Sequence, residues 1–440
     1  MRNRALTVFI IVFLLAFLTC LLGPLVYNLP PVHDRLDWRV SFALTKLKYA
    51  LNPPQQVVFV PQEQVDVIVQ ATLTALIPSV TSSPTIIASL ENTPTQPGPG
   101  VTPEPSATPL PTFTPIPGKV LLTGVVHQYQ KFNNCGPANL AMALSFWGWQ
   151  GDQMDTAAYL RPDTRDKNVM PAEMVAFVEK FTSLKAMVRF GGDLDLLKQF
   201  LAAGYPVIIE KGHDPANDWW MGHYLVLSGY EDAKSRFITQ DSLIMANLPV
   251  SYQEIEQRWW RDFNYVYLVI YPPERSSEVI NILGPQVDDR FNYQFAALKA
   301  ENEIPNLHGR DLFFAWYNLG TNRVALQDYT GAAEAYDIAF TIYPRLSEDD
   351  RPYRMLWYQV GPYPAYFYTG RYQDVINLAN TTFAWVGEPV LEETYFWRAM
   401  AYLALGNTQK AVSDFKKAAK LNPNSTDAIA QLAYLGVAFP

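Results

Sequence analysis

Cysteine is nearly absent from this chain. Of 440 residues only two are Cys, at Cys20 and Cys135. Cys20 lies inside an apolar N-terminal run, so a disulfide framework is excluded as the basis of the fold. Cys135 is then the single thiol of everything downstream. Charge is sparse too. Asp, Glu, Lys and Arg make up 17% of the chain and the formal net charge is −8, which argues against nucleic acid as a main partner. Histidine is scarce, with five residues, and neither His-Glu-x2-His nor Cys-x2-Cys spacing occurs. No metal and no cofactor are therefore expected. A phosphate-binding Gly-x4-Gly-Lys-Ser/Thr loop is also missing.

What is present starts with apolar material. Hydrophobic residues reach 49% and aromatics 14%, enough for sizeable cores in two or three domains. Arg2 and Arg4 precede Ala5 to Leu22, a run without a charge, which Gly23 to Tyr27 extend. That length suits a membrane-spanning helix. A cleaved signal peptide would have a shorter core and an Ala-x-Ala-like site, and none occurs. The expectation is an uncleaved signal anchor over 5–27 behind a cytoplasmic tail, 1–4. The membrane is then one partner, through a single N-terminal pass, and everything after Tyr27 is extracytoplasmic.

Residues 28–60 read as a juxtamembrane segment. Leu36, Val40, Leu44 and Leu47 fall at helical spacing there, before Pro53 and Pro54. Residues 61–118 read as a linker. From Glu91 to Gly118 nine prolines alternate with Thr and small residues. No core forms from such a stretch; as polyproline II it reaches on the order of 80 Å. Residues 119–272 mix helical and strand patterns as one α+β domain, followed by a connector over 273–308.

Residues 309–440 are helical and self-similar. Trp316, Leu319, Gly320, Ala332, Tyr336, Ala339 and Pro344 keep the offsets of the tetratricopeptide repeat. So do Tyr395, Ala399, Tyr402, Gly406, Ala411, Phe415, Ala418 and Pro423. A middle copy over 356–389 is degenerate, because Pro362 and Pro364 do not belong in a first helix. Asn424 to Gly436 reads as a cap. Such repeats imply a protein or peptide partner, although a brace between domains would look alike.

One stretch carries chemistry. In Cys135-Gly136-Pro137-Ala138-Asn139-Leu140, continuing to Trp147-Gly148, Leu140, Leu144 and Trp147 mark a helix face. Pro137 suits a first turn and Gly148 a C-terminal cap. Cys135 is thereby placed at a helix N-terminus, where backbone N–H groups favour a thiolate. Gln128 and Gln130 both stand close enough upstream to offer an amide to an oxyanion, and spacing does not choose between them. The thiolate needs a base. His33 and His308 fall in the juxtamembrane segment and the connector, and His127 and His213 in loops. His223 opens the strand Tyr224 to Tyr230, and Arg236 to Asp241 returns. A hairpin centred near Asp232 sets His223 opposite Asp241, which orients the imidazole toward Cys135. Trp219, Trp220 and Met221 are candidates either for a cleft lining or for plain packing.

These motifs, Cys-Gly-Pro-Ala-x-Leu-Ala-Met-Ala-Leu-Ser-x-Trp-Gly and Gly-His-Tyr-x-Val-x2-Gly-Tyr with an Asp on the next strand, resemble cysteine peptidase family thirty-nine. The resemblance spans about 119–271. Its best-known members remove double-glycine leaders from bacteriocins as cytoplasmic parts of ABC transporters. The missing phosphate loop and the expected location keep that activity from being carried over. The resemblance implies a papain-like fold with Cys135 as nucleophile, His223 as base, Asp241 as orienter and Gln130, with Gln128 as alternative, as oxyanion donor. It also implies a helix from Asp193 to Ala203 followed by a core strand to Ile209. The expectation is a multidomain chain: a transmembrane helix, an α+β papain-like peptidase domain acting on peptide or protein substrates, and an all-α tetratricopeptide-repeat solenoid. Two other readings share these residues: a non-catalytic repeat-based scaffold with a retained peptidase fold, and an acyl transferase or amidase.

Overall fold

The computed structural model describes residues 22–23, 25–51, 53, 57–62, 64, 116–215, 219–386 and 390–439. Its centre is a seven-stranded sheet: β1 (Lys119–Leu121), β2 (Lys185–Arg189), β3 (Val207–His213), β4 (Met221–Glu231), β5 (Arg236–Gln240), β6 (Leu248–Ser251) and β7 (Tyr267–Tyr271). The order is β2-β7-β3-β4-β5-β6, with β1 beside the far end of β4, and every pairing is antiparallel. The period-2 pleat sorts the central strands' side chains to two faces. Val207, Ile209, Leu225, Leu227, Tyr267 and Val269 pack with Leu197 and Phe200 of the helix Leu194–Ala202, which Asp193 caps. Ile208, Tyr224, Val226, Leu268 and Ile270 face Leu140, Met142 and Leu144 of the helix Cys135–Phe146. That helix is buried from Gly136 to Leu144, more than the single expected face, while Trp147 is only partly covered.

The repeat region follows as helix pairs: Gly309–Ala325 with Tyr329–Ile342, Pro362–Tyr368 with Tyr372–Val386, Glu392–Ala404 with Thr408–Leu421, and Thr426–Tyr434 at the end. The degenerate middle copy keeps its turn and second helix. Pro362 begins its first helix, which is only seven residues long, because a proline tolerates the first turn and blocks anything upstream. Residues 343–361 form three single-turn 3-10 helices, Tyr343–Arg345, Glu348–Asp350 and Met355–Trp357, joined by loops, and they lean on the sheet domain, with Gln359 Nε2 donating to Asp262 O at 2.6 Å. The two regions share one core. Trp220 stacks on Phe263 at 5.7 Å and meets Phe314 at 5.3 Å. Asn264 and Asn322 exchange amide hydrogen bonds, and Asn318 Nδ2 donates to Arg261 O.

The N-terminal expectation is corrected. Among the described residues no helix is long and apolar enough to cross a membrane. A transmembrane anchor and a single-pass, extracytoplasmic placement are therefore not supported. The long N-terminal helix is Pro30–Leu51, of 22 residues, and Arg39, Lys46 and Lys48 interrupt it with charges that hydrocarbon does not solvate. Residues 5–21 of the expected span, and 65–115 of the expected spacer, lie outside the described residues. The spacing of Leu36, Val40, Leu44 and Leu47 does make a helix, yet all four side chains are exposed.

Candidate active site

Asn133 adopts a left-handed conformation, with φ 55°, which asparagine tolerates better than most residues. The chain turns there and enters the helix at Cys135. Asn134 does not cap that helix with its side chain. It ties the turn sideways instead: Nδ2 donates to Gln153 Oε1 at 2.9 Å, and Oδ1 accepts from Arg161 Nη1 at 3.0 Å. Asn139, one turn on, donates to Cys135 O at 2.9 Å and to Tyr224 O at 2.8 Å. The helix start is thus pinned to β4 beside His223.

His223 and Asp241 are both buried, and His223 Nε2 donates to Asp241 Oδ1 at 2.9 Å. The register differs from the expected one. A bulge between Leu227 and Gly229 shifts β4 against β5, and Val226 faces Gln240, so Asp241 continues opposite Leu225. It reaches His223 from the diagonal position, which long side chains span. Leu243 N and Ile244 N donate to the same Asp241 Oδ1 at 2.8 and 3.1 Å. With Nε2 engaged, Nδ1 is the ring nitrogen left for the Cys135 thiol, which lines the same cavity. Burial alone would lower the His223 pKa, but the Asp241 charge and hydrogen bond, with Cys135, hold it up at about 9. Burial alone would raise the Cys135 pKa. The His223 hydrogen bond and charge, the Tyr224 backbone and the Arg161 charge together pull it below its ordinary value. Asp241 stays well below the usual carboxylate range: the His223 charge and hydrogen bond outweigh its burial.

The two glutamines separate in space. Gln128 Oε1 accepts from Gln153 N at 2.9 Å, at the start of the helix Gln153–Leu160. Gln130 lines the cavity that also holds Cys135 and His223. Its Oε1 accepts from Ser242 Oγ at 2.8 Å, so its Nε2 is the donor of the amide. Ser242 Oγ in turn accepts from Asn139 Nδ2 at 3.0 Å.

Residues 122–267 match the model of the Peptidase_C39 like family, and residues 392–425 match the tetratricopeptide repeat. The chain carries a C39-like peptidase domain followed by a tetratricopeptide repeat. A C39-like peptidase from Bacillus anthracis, known as a crystal structure, shares 20% identity over 34% of this chain and 96% of its own, with a TM-score of 0.30. No curated protein matches the chain at a significant level.

The cleft of the C39-like domain is a cavity of about 1200 Å³ with three sources of wall. The domain itself supplies Cys135, His223, Gln130, Phe132, Trp219, Met221 and Ile244. The turns after the first repeat supply Arg354, Trp357 and Tyr358, and the helix Pro30–Leu51 supplies Thr45, Lys46 and Tyr49. Of the three residues before Gly222, then, Trp219 and Met221 line the cleft. Trp220 is core, its Nε1 donating to Asp262 Oδ2 at 2.7 Å.

Sequence reading missed several neighbours. His213 ends β3 with its ring centroid 5.8 Å from that of His223; burial, with the His223 charge beside it, pushes its pKa down to about 3. His127 Nε2 donates to Asp241 O at 2.9 Å. Arg161 acts on the thiol through charge, from a helix end with no motif of its own. Only proximity in the fold reveals these three.

Gly222 admits the repeat region to the cleft. A Cβ there would stand 2.6 Å from Phe263 Cζ and 3.0 Å from two ring carbons of Tyr358. Gly222→Ala is expected to destabilise the protein by about 1–3 kcal/mol through overpacking. A lowered midpoint in thermal unfolding checks this, and an unchanged midpoint would count against the tight approach of Tyr358.

Proposed function

We propose that this chain is a cysteine peptidase that cleaves peptide or protein substrates through a thioester on Cys135. The observation that carries the reading is one connected set: a thiol at a helix start, sharing a cavity with an imidazole that a buried carboxylate holds. The Cys135 pKa is lowered and that of His223 raised, and both directions favour a thiolate–imidazolium pair.

Cys135 Sγ attacks the scissile carbonyl carbon, and the C–S bond forms as the carbonyl electrons move to oxygen. The Cys135 backbone N–H, in the helix's first turn where it has no partner one turn earlier, and Gln130 Nε2 receive that oxyanion. His223 gives its Nδ1 proton to the leaving amine, and the C–N bond breaks to leave a thioester. Water then attacks the thioester carbon while His223 takes its proton. The C–S bond breaks and the acid product leaves with the thiolate restored. Asp241 keeps the imidazole in the tautomer that presents Nδ1. The repeats supply a protein-interaction surface beside this site.

A peptide library incubated with the protein should show new termini that Cys135→Ala does not produce. Identical termini in both would overturn the reading. Gln130→Ala is expected to lower kcat by roughly 10²–10³, the usual loss for one oxyanion donor. Gln128→Ala removes only a contact at a helix start and should leave kcat within a few-fold. Equal effects in the two variants would reverse the assignment.

A further inference from the structure

The repeat region already holds a peptide, and the peptide belongs to the same chain. Residues 57–61, without regular secondary structure, cross the helices Tyr329–Ile342, Pro362–Tyr368 and Tyr372–Val386, and the chain turns helical at Gln62, where Gln64 N donates to Pro61 O at 3.0 Å. Phe59 is 3% exposed and sits edge-on to Phe340 at 4.9 Å, with Tyr366 at 6.1 Å. Pro61 is buried beside it, whereas Val60 between them points outward. Two further contacts engage the main chain. Trp385 Nε1 donates to Val57 O at 2.8 Å, and Gln62 N donates to Asp374 Oδ1 at 2.8 Å. Gln64 Nε2 donates to Thr341 Oγ1 at 2.6 Å.

The spans agree with a strand laid antiparallel along a helix. From Trp385 back to Asp374 is eleven helical residues, about 16 Å at 1.5 Å each. From Val57 to Gln62 is five residues, whose reach is at most about 16 Å. The acceptor is prepared for the strand: Arg371 Nε holds Asp374 Oδ2 at 2.8 Å and Arg371 Nη1 holds Asp337 Oδ2 at 2.7 Å. That pairing leaves Asp374 Oδ1 aimed at the Gln62 amide. Main-chain contacts give affinity that tolerates sequence, and the pockets for Phe59 and Pro61 give selectivity.

We propose that this surface of the repeats is a receptor for extended peptides of the form Phe-x-Pro, and that residues 57–64 are its built-in occupant. Occupancy has a consequence for the cleft. The helix Pro30–Leu51 ends six residues before Val57, and its Thr45, Lys46 and Tyr49 line the cavity of Cys135, with Tyr49 6.4 Å from Trp219 between ring centroids. The docked strand holds that helix as a wall of the cleft. A peptide of the same form from another protein competes for one place with the strand that fixes this wall.

The test uses the full chain. A fluorescent peptide of residues 55–66 is titrated against wild type and Phe59→Ala by anisotropy. The internal strand competes at high effective concentration in wild type, so the peptide is expected to bind Phe59→Ala at least about tenfold more tightly. The same peptide carrying Phe59→Ala should not bind either protein. If circular dichroism shows Phe59→Ala to be unfolded, Gln62→Pro takes its place, since it removes the amide donor and leaves every repeat residue intact. Equal binding to wild type and variant, or no binding to the folded variant, overturns the proposal. The readout involves no turnover, so it stands or falls apart from the peptidase reading.

Discussion

His223→Ala should slow alkylation of Cys135 at pH 7 by roughly tenfold or more, and lower kcat/KM on a cleaved peptide by on the order of 10³–10⁵. The two losses differ because His223 does two things. Toward an alkylating reagent it only sets the thiolate fraction. Burial pushes the Cys135 pKa up, and the His223 hydrogen bond and charge are the largest opposing influences. Without them the Tyr224 backbone and Arg161 remain, and the thiol is mostly protonated at neutral pH. A more basic thiolate is intrinsically more nucleophilic, which offsets part of that loss. Toward a peptide, His223 must also protonate the leaving amine, and no alkylating reagent needs that step. Rates of alkylation and of peptide cleavage measured on one preparation separate the effects. Alkylation as fast in the variant as in wild type would sink the pairing of Cys135 with His223.

Asp241→Asn should move the alkaline limb of the kcat/KM profile down from near pH 9 by about 1–3 units and lower kcat by on the order of 10²–10⁴. The sign follows from the forces on His223. Burial favours the neutral ring, and the Asp241 charge and hydrogen bond overcome it to hold the pKa at about 9. The imidazolium is therefore present below about pH 9 and lost above it. Asparagine keeps an oxygen for the Leu243 and Ile244 amides and for Nε2–H, so the loop after β5 retains its shape. The charge is gone, burial prevails, and the ring deprotonates at lower pH. His213, 5.8 Å away between ring centroids and already held neutral, adds no compensating charge near pH 7. A pH–rate profile of the folded variant checks this, and an unmoved alkaline limb would show that Asp241 does not set the His223 pKa.

How much of this was legible beforehand depends on the range of each interaction. Cys135 at a helix start was readable, because Pro137, the apolar run behind it and Gly148 are local signals. The partnership of His223 with Asp241 was readable as adjacent strands, though not in register. A bulge at Ser228 leaves no mark in hydrophobic alternation, and it turned a direct pair into a diagonal one. Gln128 and Gln130 were equivalent by spacing. They parted only when Gln153 drew one toward a helix start and Ser242 drew the other into the cleft. The repeat offsets were readable as well, but Pro362 and Pro364, expected not to belong in the middle copy's first helix, both stand in its first turn, where a proline costs no hydrogen bond.

The N-terminal part went differently. The apolar run suggested a membrane span, and no helix among the described residues supports one. The spacing of Leu36, Val40, Leu44 and Leu47 predicted a helix, and the helix is there with all four side chains exposed. Periodicity reports where a stripe lies on a helix and says nothing of what covers it.

Two kinds of information therefore meet in this protein. Motif, cap and repeat signals lie within short stretches of the chain, and they mark Cys135, His223, Asp241 and the helical repeats. Other contacts join residues more than a hundred positions apart: Val57 with Trp385, Gln62 with Asp374, Gly222 with Tyr358. Such contacts follow from how whole surfaces pack. A chain without local sign of them reveals them only when folded.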